Sequence, residues 1–331
     1  MAQPLLEVRE LHTYFSTYRG PLRAVDGVSF AVARGETVAL VGESGCGKSV
    51  TALSIMRLVR RPGRIARGEV LFDGEDLLRK PEADMRRLRG GRMAMVFQDP
   101  LSTLNPTFQV GSQIAESLRV HGVAAGARAW QLSAELLEAM GIPAARQRLR
   151  NYPHELSGGM RQRVMMAIAV SCEPELLIAD EPTTALDVTL QAQIMDQLAR
   201  IKEQRRLAVL LITHDLGLVS EFAQRAVVMY AGQVVEQARC GDLLAGPLHP
   251  YTQGLLRCVP RLDRPGVEIA PIEGMVPDLV ALPTGCRFAP RCRQVMDRCR
   301  VEMPASRPGG DGRMVRCHLY DGDADTIGGA S

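Results

Sequence analysis

The sequence predicts an α/β fold built on a parallel sheet, and three features carry that expectation. Continuous apolar runs at residues 38–41, 176–179 and 207–212 have the length and composition of strands covered on both faces. Each run ends in glycine or in polar residues able to do chemistry, which is where α/β folds place their ligands. The segments between them carry apolar residues at helical period, as at Val164, Ile168 and Cys172.

At 331 residues the chain is long enough for more than one domain, and with 46% hydrophobic and 23% charged residues it has an ordinary globular composition. A net charge of +3 gives no global argument for nucleic acid as a partner. The chain carries only three lysines, Lys48, Lys80 and Lys202, and arginine supplies the rest of the basic residues. No apolar run approaches the roughly 20 residues of a membrane span. The first ten residues, MAQPLLEVRE, have neither the basic start nor the apolar stretch of a signal peptide, so a cytoplasmic location is expected. Eight cysteines in such a chain point to metal binding or structural thiols rather than disulfides.

The run at 38–41 leads directly into residues 42–49, GESGCGKS, and a helix-compatible run from Val50 to Leu58 leads out. This matches G-x-x-x-x-G-K-[ST] at every fixed position and in the strand–loop–helix setting the motif requires. Gly42, Gly45 and Gly47 let the backbone curl so that successive N–H groups, those around Ser44 and Cys46 included, face phosphate oxygens. The positive end of the following helix, starting with Ser49 and Val50, favours an anion further. Lys48 sets a compact cation on the β- and γ-phosphates, and the Ser49 hydroxyl is placed to ligate Mg2+. ATP or GTP binding follows.

Taken in order, residues 6–11 and 25–33 are expected as short strands flanking a loop rich in aromatics, Tyr14, Phe15 and Tyr18, any of which can stack on a purine. Glu69 to Phe72 followed by Asp73-Gly74 reads as a strand with a hairpin turn. The arginine-dense stretch 85–92 reads as a solvated helix face. The strand at 93–97 delivers Gln98. Residues from 99 to about 163, punctuated by Gly111, Gly122 and Gly126 between amphipathic runs at 114–120 and 132–140, read as a helical insert. Ser157-Gly158-Gly159 stands at the N-terminus of the next helix, a hydroxyl and glycine N–H groups that make a second anion site or simply a cap. The run at 176–179 closes in Asp180 and Glu181: Asp180 is placed to hold Mg2+ through water and Glu181 to polarise an attacking water. Thr184 to Asp187 continues the turn. The run at 207–212 ends in His214, and 227–235, broken by Ala231-Gly232, reads as a hairpin closing the fold.

These motifs in this order resemble the ATPase subunits of ABC transporters over roughly residues 5–240. The resemblance lies in the loop at 42–49, Gln98, the signature LSGGM with RQR from 156, LLIADE at 176–181, Ala185-Leu186-Asp187, and His214. FQDPLSTLNP at 97–106, HPYTQGLL at 249–256 and the terminal GCRFAPRC segment resemble the D-type ATPase subunits of oligopeptide and dipeptide importers, with nickel and opine importers as close relatives. The resemblance implies a RecA-like core with an antiparallel β-subdomain and a helical subdomain, an ABC ATPase domain at 1–245 and a C-terminal extension at 246–331. It implies that two subunits close head to tail, each ATP lying between one subunit's residues 42–49 and the other's Ser157–Gly159. Glu181 is then the general base, His214 the γ-phosphate contact and Gln98 the sensor of Mg2+ and water. Phe15 is the implied adenine stack, with Tyr14 or Tyr18 as alternatives. The implied partners are a second ABC ATPase, two permeases and a substrate-binding protein, at the cytoplasmic face of the membrane, with no nucleic acid. A soluble ABC ATPase acting on DNA would need a long coiled coil, and one acting on ribosomes normally carries two cassettes; neither feature is in the sequence.

Four of the eight cysteines, Cys286, Cys292, Cys299 and Cys317, fall in the last 46 residues, with five, six and seventeen residues between them. That spacing fits neither zinc ribbons nor bacterial ferredoxins, and zinc, a cluster and plain thiols all remain open on it. The family resemblance implies a [4Fe–4S] cluster. The segment looks poor in core residues, so a metal staple is a sensible means of ordering it. Cys46, inside the phosphate loop, is expected to be vulnerable to oxidation.

Overall fold

The computed structural model describes residues 3–183, 187–258, 271–310 and 312–321. In chain order the elements begin with strands β1 (Leu6–Thr17), β2 (Gly20–Val32) and β3 (Thr37–Val41), helix α1 (Lys48–Ile55), strands β4 (Gly63–Phe72) and β5 (Glu75–Asp76), helix α2 (Glu82–Leu88) and strand β6 (Met93–Val96). Helices α3 (Pro100–Thr103), α4 (Val110–Val120), α5 (Gly126–Ala139), α6 (Ala145–Arg148) and α7 (Gly158–Val170) follow. Then come β7 (Leu176–Asp180), α8 (Val188–Arg205), β8 (Ala208–Thr213), α9 (Leu216–Phe222), β9 (Arg225–Tyr230) and β10 (Gln233–Arg239). The chain ends in α10 (Cys240–Ala245), α11 (Pro250–Arg257), α12 (Asp297–Val301), β11 (Arg307–Pro308) and β12 (Met314–Val315).

Two compact units share these elements: one holds Met1–Leu5, Val32–Glu36 and Arg79–Ile212, the other Leu6–Ala31, Thr37–Leu78 and Thr213–Ser331. In the first unit β6, β7 and β8 run parallel, with Met95 opposite Ile178 and Ile178 opposite Leu210. Every residue of β7 is buried, as a strand covered on both faces must be. The insert forms α3 to α7. Its helix α4 buries Val110, Ile114 and Leu118 at i, i+4 and i+8, one stripe of a helix facing the insert's own core.

In the second unit an antiparallel sheet has the order β2-β1-β4-β5, and β4 turns into β5 at Asp73 and Gly74, both left-handed as a two-residue hairpin demands. Strand β1 differs from expectation. It runs through to Thr17, so Tyr14 and Phe15 are strand residues opposite Arg64 and Gly63 and not loop residues. Register shifts between Arg9 and Thr13, with Glu10 left-handed, break the two-residue alternation on which strand recognition depends.

Strand β3 lies parallel to β9, which turns through Ala231-Gly232 into antiparallel β10, with β12 on the far side of β10. The C-terminal segment supplies more core than its composition suggested. Tyr251 and Phe288 are buried with Tyr230, at ring-centroid separations of 4.7 to 5.4 Å, in one cluster that also holds Val41, Val228 and Leu243. Truncating a buried aromatic of this kind costs about 3–5 kcal/mol. Gly, Pro and Arg dominate the segment's composition, yet Tyr251 and Phe288 are buried in the cluster and Leu255, Ile272, Leu279 and Leu282 pack against it.

Candidate functional site

The glycine loop is shaped by the strands around it. Strand β3 is buried along its whole length and releases the chain at Gly42. A Cβ on Gly42 would stand 2.3 Å from the Met229 carbonyl oxygen, and one on Gly47 2.2 Å from that of Ala24, so both positions exclude any side chain. At Gly45 a Cβ would meet nothing within 4 Å, and Ser44 beside it is exposed. Gly47, left-handed, caps α1, and the first turn of α1 carries no acidic side chain to oppose an anion. Ser49 and Val50 occupy that first turn, half-buried. Lys48 is buried and reaches back over the loop, its Nζ donating to the carbonyl oxygens of Gly42 (2.7 Å) and Glu43 (3.0 Å). The ammonium therefore sits within the curl of the loop. The Cys46 thiol is fully buried and burial raises its pKa, so thiolate is scarce there. The oxidation liability expected from sequence is thereby suppressed.

In the other unit, parallel strand ends assemble a polar pair. Asp180 ends β7, 5% exposed, opposite Ile212. The Glu181 N–H donates to the Ile212 carbonyl oxygen at 2.9 Å, and Glu181 then turns the chain with a left-handed backbone (φ 46°), a conformation that costs a non-glycine residue about 1 kcal/mol. Gln98, just beyond β6, donates from Nε2 to Glu181 Oε2 at 3.0 Å. The structure thus brings Gln98 and Glu181 together at adjoining strand ends, which their separation in sequence does not reveal.

His214 is exposed one residue past β8, and the next residue, Asp215, caps α9 by accepting from the N–H groups of Gly217 (2.7 Å) and Leu218 (3.4 Å). Ser157 is the N-cap of α7, its Oγ accepting from the Met160 N–H at 3.3 Å. Ser157 and Gly158 are exposed, whereas a Cβ on Gly159 would meet Leu190 at 2.1 Å. Of the Ala185-Leu186-Asp187 motif, residues 184–186 lie outside the described residues. Asp187 caps α8 through the Leu190 N–H.

Among the aromatics, Tyr14 is committed elsewhere: its hydroxyl donates to Asp26 Oδ1 at 2.6 Å, and His12 Nδ1 shares that oxygen at 2.8 Å. Tyr18 is almost wholly exposed at the β1–β2 turn, and Phe15 is half-exposed over Gly63, where a Cβ would stand 2.5 Å from its ring.

The four C-terminal cysteines are neighbours. Burial raises the pKa of Cys286 and Cys292, helped by the nearby Cys299, and Cys317 is pushed up to about 12 by burial and then by the charges of Cys286, Cys292 and Cys299. The Cys286 N–H donates to the Cys299 carbonyl oxygen at 2.8 Å. Among the described residues, no three His, Cys, Asp or Glu side chains converge as a group that could hold a metal ion. Neither the zinc nor the [4Fe–4S] expectation finds support in that arrangement. His249 and His318 serve the fold. His249 is fully buried and accepts from the Tyr251 N–H, and His318 bridges Asp321 and the Glu302 carbonyl oxygen.

Sequence reasoning missed Tyr251 and Arg291. The Tyr251 hydroxyl accepts the Glu43 N–H at 2.9 Å, and Arg291 grips the Glu43 carboxylate, so the C-terminal segment holds the phosphate loop directly.

Comparison with known proteins matches residues 25–184 to the ABC transporter family and residues 235–299 to the oligopeptide/dipeptide transporter C-terminal region. The chain is 51% identical to the oligopeptide transport ATP-binding protein AppD of Bacillus subtilis, covering 96% of this chain and 97% of that one. It is 48% identical to the dipeptide transport ATP-binding protein DppD of Escherichia coli, covering 97% and 98%. Among solved structures it resembles the dimeric bacterial ABC transporter cassette MJ0796, with a TM-score of 0.65, 25% identity, and coverage of 71% of this chain and 98% of that one.

Proposed function

The chain belongs to the ATP-binding subunits of ABC transporters, in their oligopeptide and dipeptide branch, and from that premise we propose that it hydrolyses ATP to power the import of short peptides. The match of residues 235–299 to the peptide-transporter C-terminal region carries the cargo assignment, because the motifs of the ATPase core are common to ABC proteins of every cargo.

In this reading residues 42–49 cradle the phosphates, with Lys48 on the β- and γ-phosphates and Phe15 against the adenine. Ser49, Gln98 and Asp180 would hold Mg2+, which would supply positive charge to the phosphate oxygens. Glu181, turned out of its strand and paired with Gln98, takes the proton of the attacking water. His214 contacts the γ-phosphate. Ser157, Gly158 and Gly159 belong to the facing site, closed on the ATP of a second, different ATPase subunit. No helix among the described residues is long and apolar enough to cross a membrane. In this reading two permease subunits attach the chain to the membrane and a substrate-binding protein supplies cargo. We further propose that Cys286, Cys292, Cys299 and Cys317 hold a [4Fe–4S] cluster as a structural staple. The mutual influence of the four thiols supports this reading. Anaerobic purification with iron and acid-labile sulfide analysis tests this, and a folded protein without iron overturns it.

The deciding experiment is affinity purification of this chain from its native membranes in mild detergent, with mass spectrometry of the companions. A second ATPase and two polytopic permeases are expected. Recovery only from the soluble fraction, or with ribosomes or nucleic acid, overturns the transporter reading.

A further inference from the structure

Glu43 is the sole acidic side chain in residues 42–49, and a carboxylate within a polyanion-binding loop is an electrostatic liability. The structure shows what is done with it. Arg291 holds it as a fork: Nη1 to Oε2 at 2.7 Å and Nη2 to Oε1 at 3.0 Å. The guanidinium is only 4% exposed and is itself fully engaged. Its Nε donates to the Glu273 carbonyl oxygen (2.9 Å), Nη2 also to that of Ile272 (3.1 Å), and Nη1 also reaches the Tyr230 hydroxyl (3.4 Å). Five N–H groups thus meet five acceptors, and the guanidinium carbon stands 5.8 Å over the Tyr230 ring. The Glu43 hydrogen bonds hold the guanidinium above its ordinary pKa. Glu43 is fixed at its main chain too: its N–H donates to Tyr251, and its carbonyl oxygen accepts from Lys48 Nζ. Tyr251 and Tyr230 belong to one packed core, and the carboxylate of the loop's acidic residue is held by Arg291 of the C-terminal segment.

We infer that Arg291 is a positioning residue for nucleotide binding, which neutralises Glu43 and keeps its carboxylate on the C-terminal segment and off the phosphate cradle. The inference rests on the reading that residues 42–49 bind nucleotide phosphates. It makes the C-terminal segment a working part of that site in the same chain. Lysine cannot replace arginine here, since an ammonium cannot make the forked pair while filling three further acceptors.

The test is titration of the full chain with a fluorescent ATP analogue and competition by ATP, ADP and AMP. Arg291→Leu is expected to weaken ATP binding about 10-fold, since a carboxylate that is partly screened by water is left bare beside the phosphates. The loss should shrink from ATP to ADP to AMP as the ligand's charge falls. Glu43→Gln in the Arg291→Leu background should return affinity to that of Glu43→Gln alone, because no charge remains to be neutralised. A merely structural arginine would show neither the charge dependence nor the rescue. Arg291→Lys, the milder variant should the leucine chain fail to fold, should weaken ATP binding about threefold, in line with a lost bidentate geometry. Arg291→Leu binding ATP within twofold of the unaltered chain, or a double variant as weak as Arg291→Leu, overturns the inference. An unaltered chain that binds no ATP instead overturns the reading of the loop itself.

Discussion

The loop ahead of α1 and the turn ahead of α7 both present a helix N-terminus and glycine N–H groups to an anion, yet they are secured in opposite ways. The first is enclosed. Carbonyl oxygens crowd Gly42 and Gly47, Lys48 spans the curl, and Tyr251 and Arg291 fasten Glu43 from more than 200 residues downstream. The second rests on its own helix: Ser157 caps α7, Gly158 has open space around it, and only Gly159 is pressed against a neighbour, Leu190. A site with its own supporting core can hold a ligand's shape in advance. A site with one exposed face gains its value from whatever closes over it, and the head-to-tail pairing proposed above supplies that partner.

The sharpest way to break this contrast is to separate binding from turnover. Glu181→Gln should leave ATP affinity of the enclosed loop near that of the unaltered chain while hydrolysis in the assembled transporter falls about 10²- to 10⁴-fold, the contribution of a positioned general base. Near-normal phosphate release would remove Glu181 from that role. The open turn is probed by Gly158→Glu. A Cβ there meets nothing within 4 Å, and an acid in the first turn suits the helix dipole, so α7 should stay folded. A carboxylate facing the partner's phosphates should nonetheless cut turnover about 100-fold, since like-charge juxtaposition costs several kcal/mol. Binding of a fluorescent ATP analogue to the isolated chain should be unchanged. Weakened binding in the isolated chain would mean that the turn serves the chain's own loop and not a partner's.

The smallest effect sharpens the enclosed side. His249, buried beneath the aromatic cluster, has its pKa lowered by burial from 6.5 to about 3. A depressed folded-state pKa means that the unfolded chain takes up a proton first as pH falls. His249 therefore contributes fully above about pH 6.5, and its contribution drains away between there and pH 3, by up to about 1.4 kcal/mol per pH unit. Denaturant titrations at pH 7, 5.5 and 4.5 should show that slope, and His249→Asn, which keeps an acceptor for the Tyr251 N–H, should flatten it. An equal slope in both chains would assign the acid sensitivity to other groups.

Much of the molecule was legible in order along the chain. The glycine loop, the strand closing in Asp180 and Glu181, the hairpins at Asp73-Gly74 and Ala231-Gly232, and the cap at Ser157 all stand where local pattern puts them, because each depends on residues within a few positions of one another. The aromatics of β1 were misread for a local reason too, since the irregularity after Arg9 erased the alternation that marks a strand. The C-terminal segment was harder. Its Pro and Gly content suggests loose chain, and a few aromatics spaced far apart have no period to detect.

By itself, then, the sequence determined the glycine curl, the helix caps and the strand-end carboxylates, and their order, since backbone curl, charge and strand ends are encoded locally. Only the tertiary structure decided that the Tyr14 hydroxyl pairs with Asp26, that Gln98 meets Glu181, and that Arg291 pairs with Glu43. Those pairings join residues that are 12, 83 and 248 positions apart. Contacts at such separation are set by how the sheets and the buried aromatic core pack, and packing leaves no signature in the chain until the chain has folded.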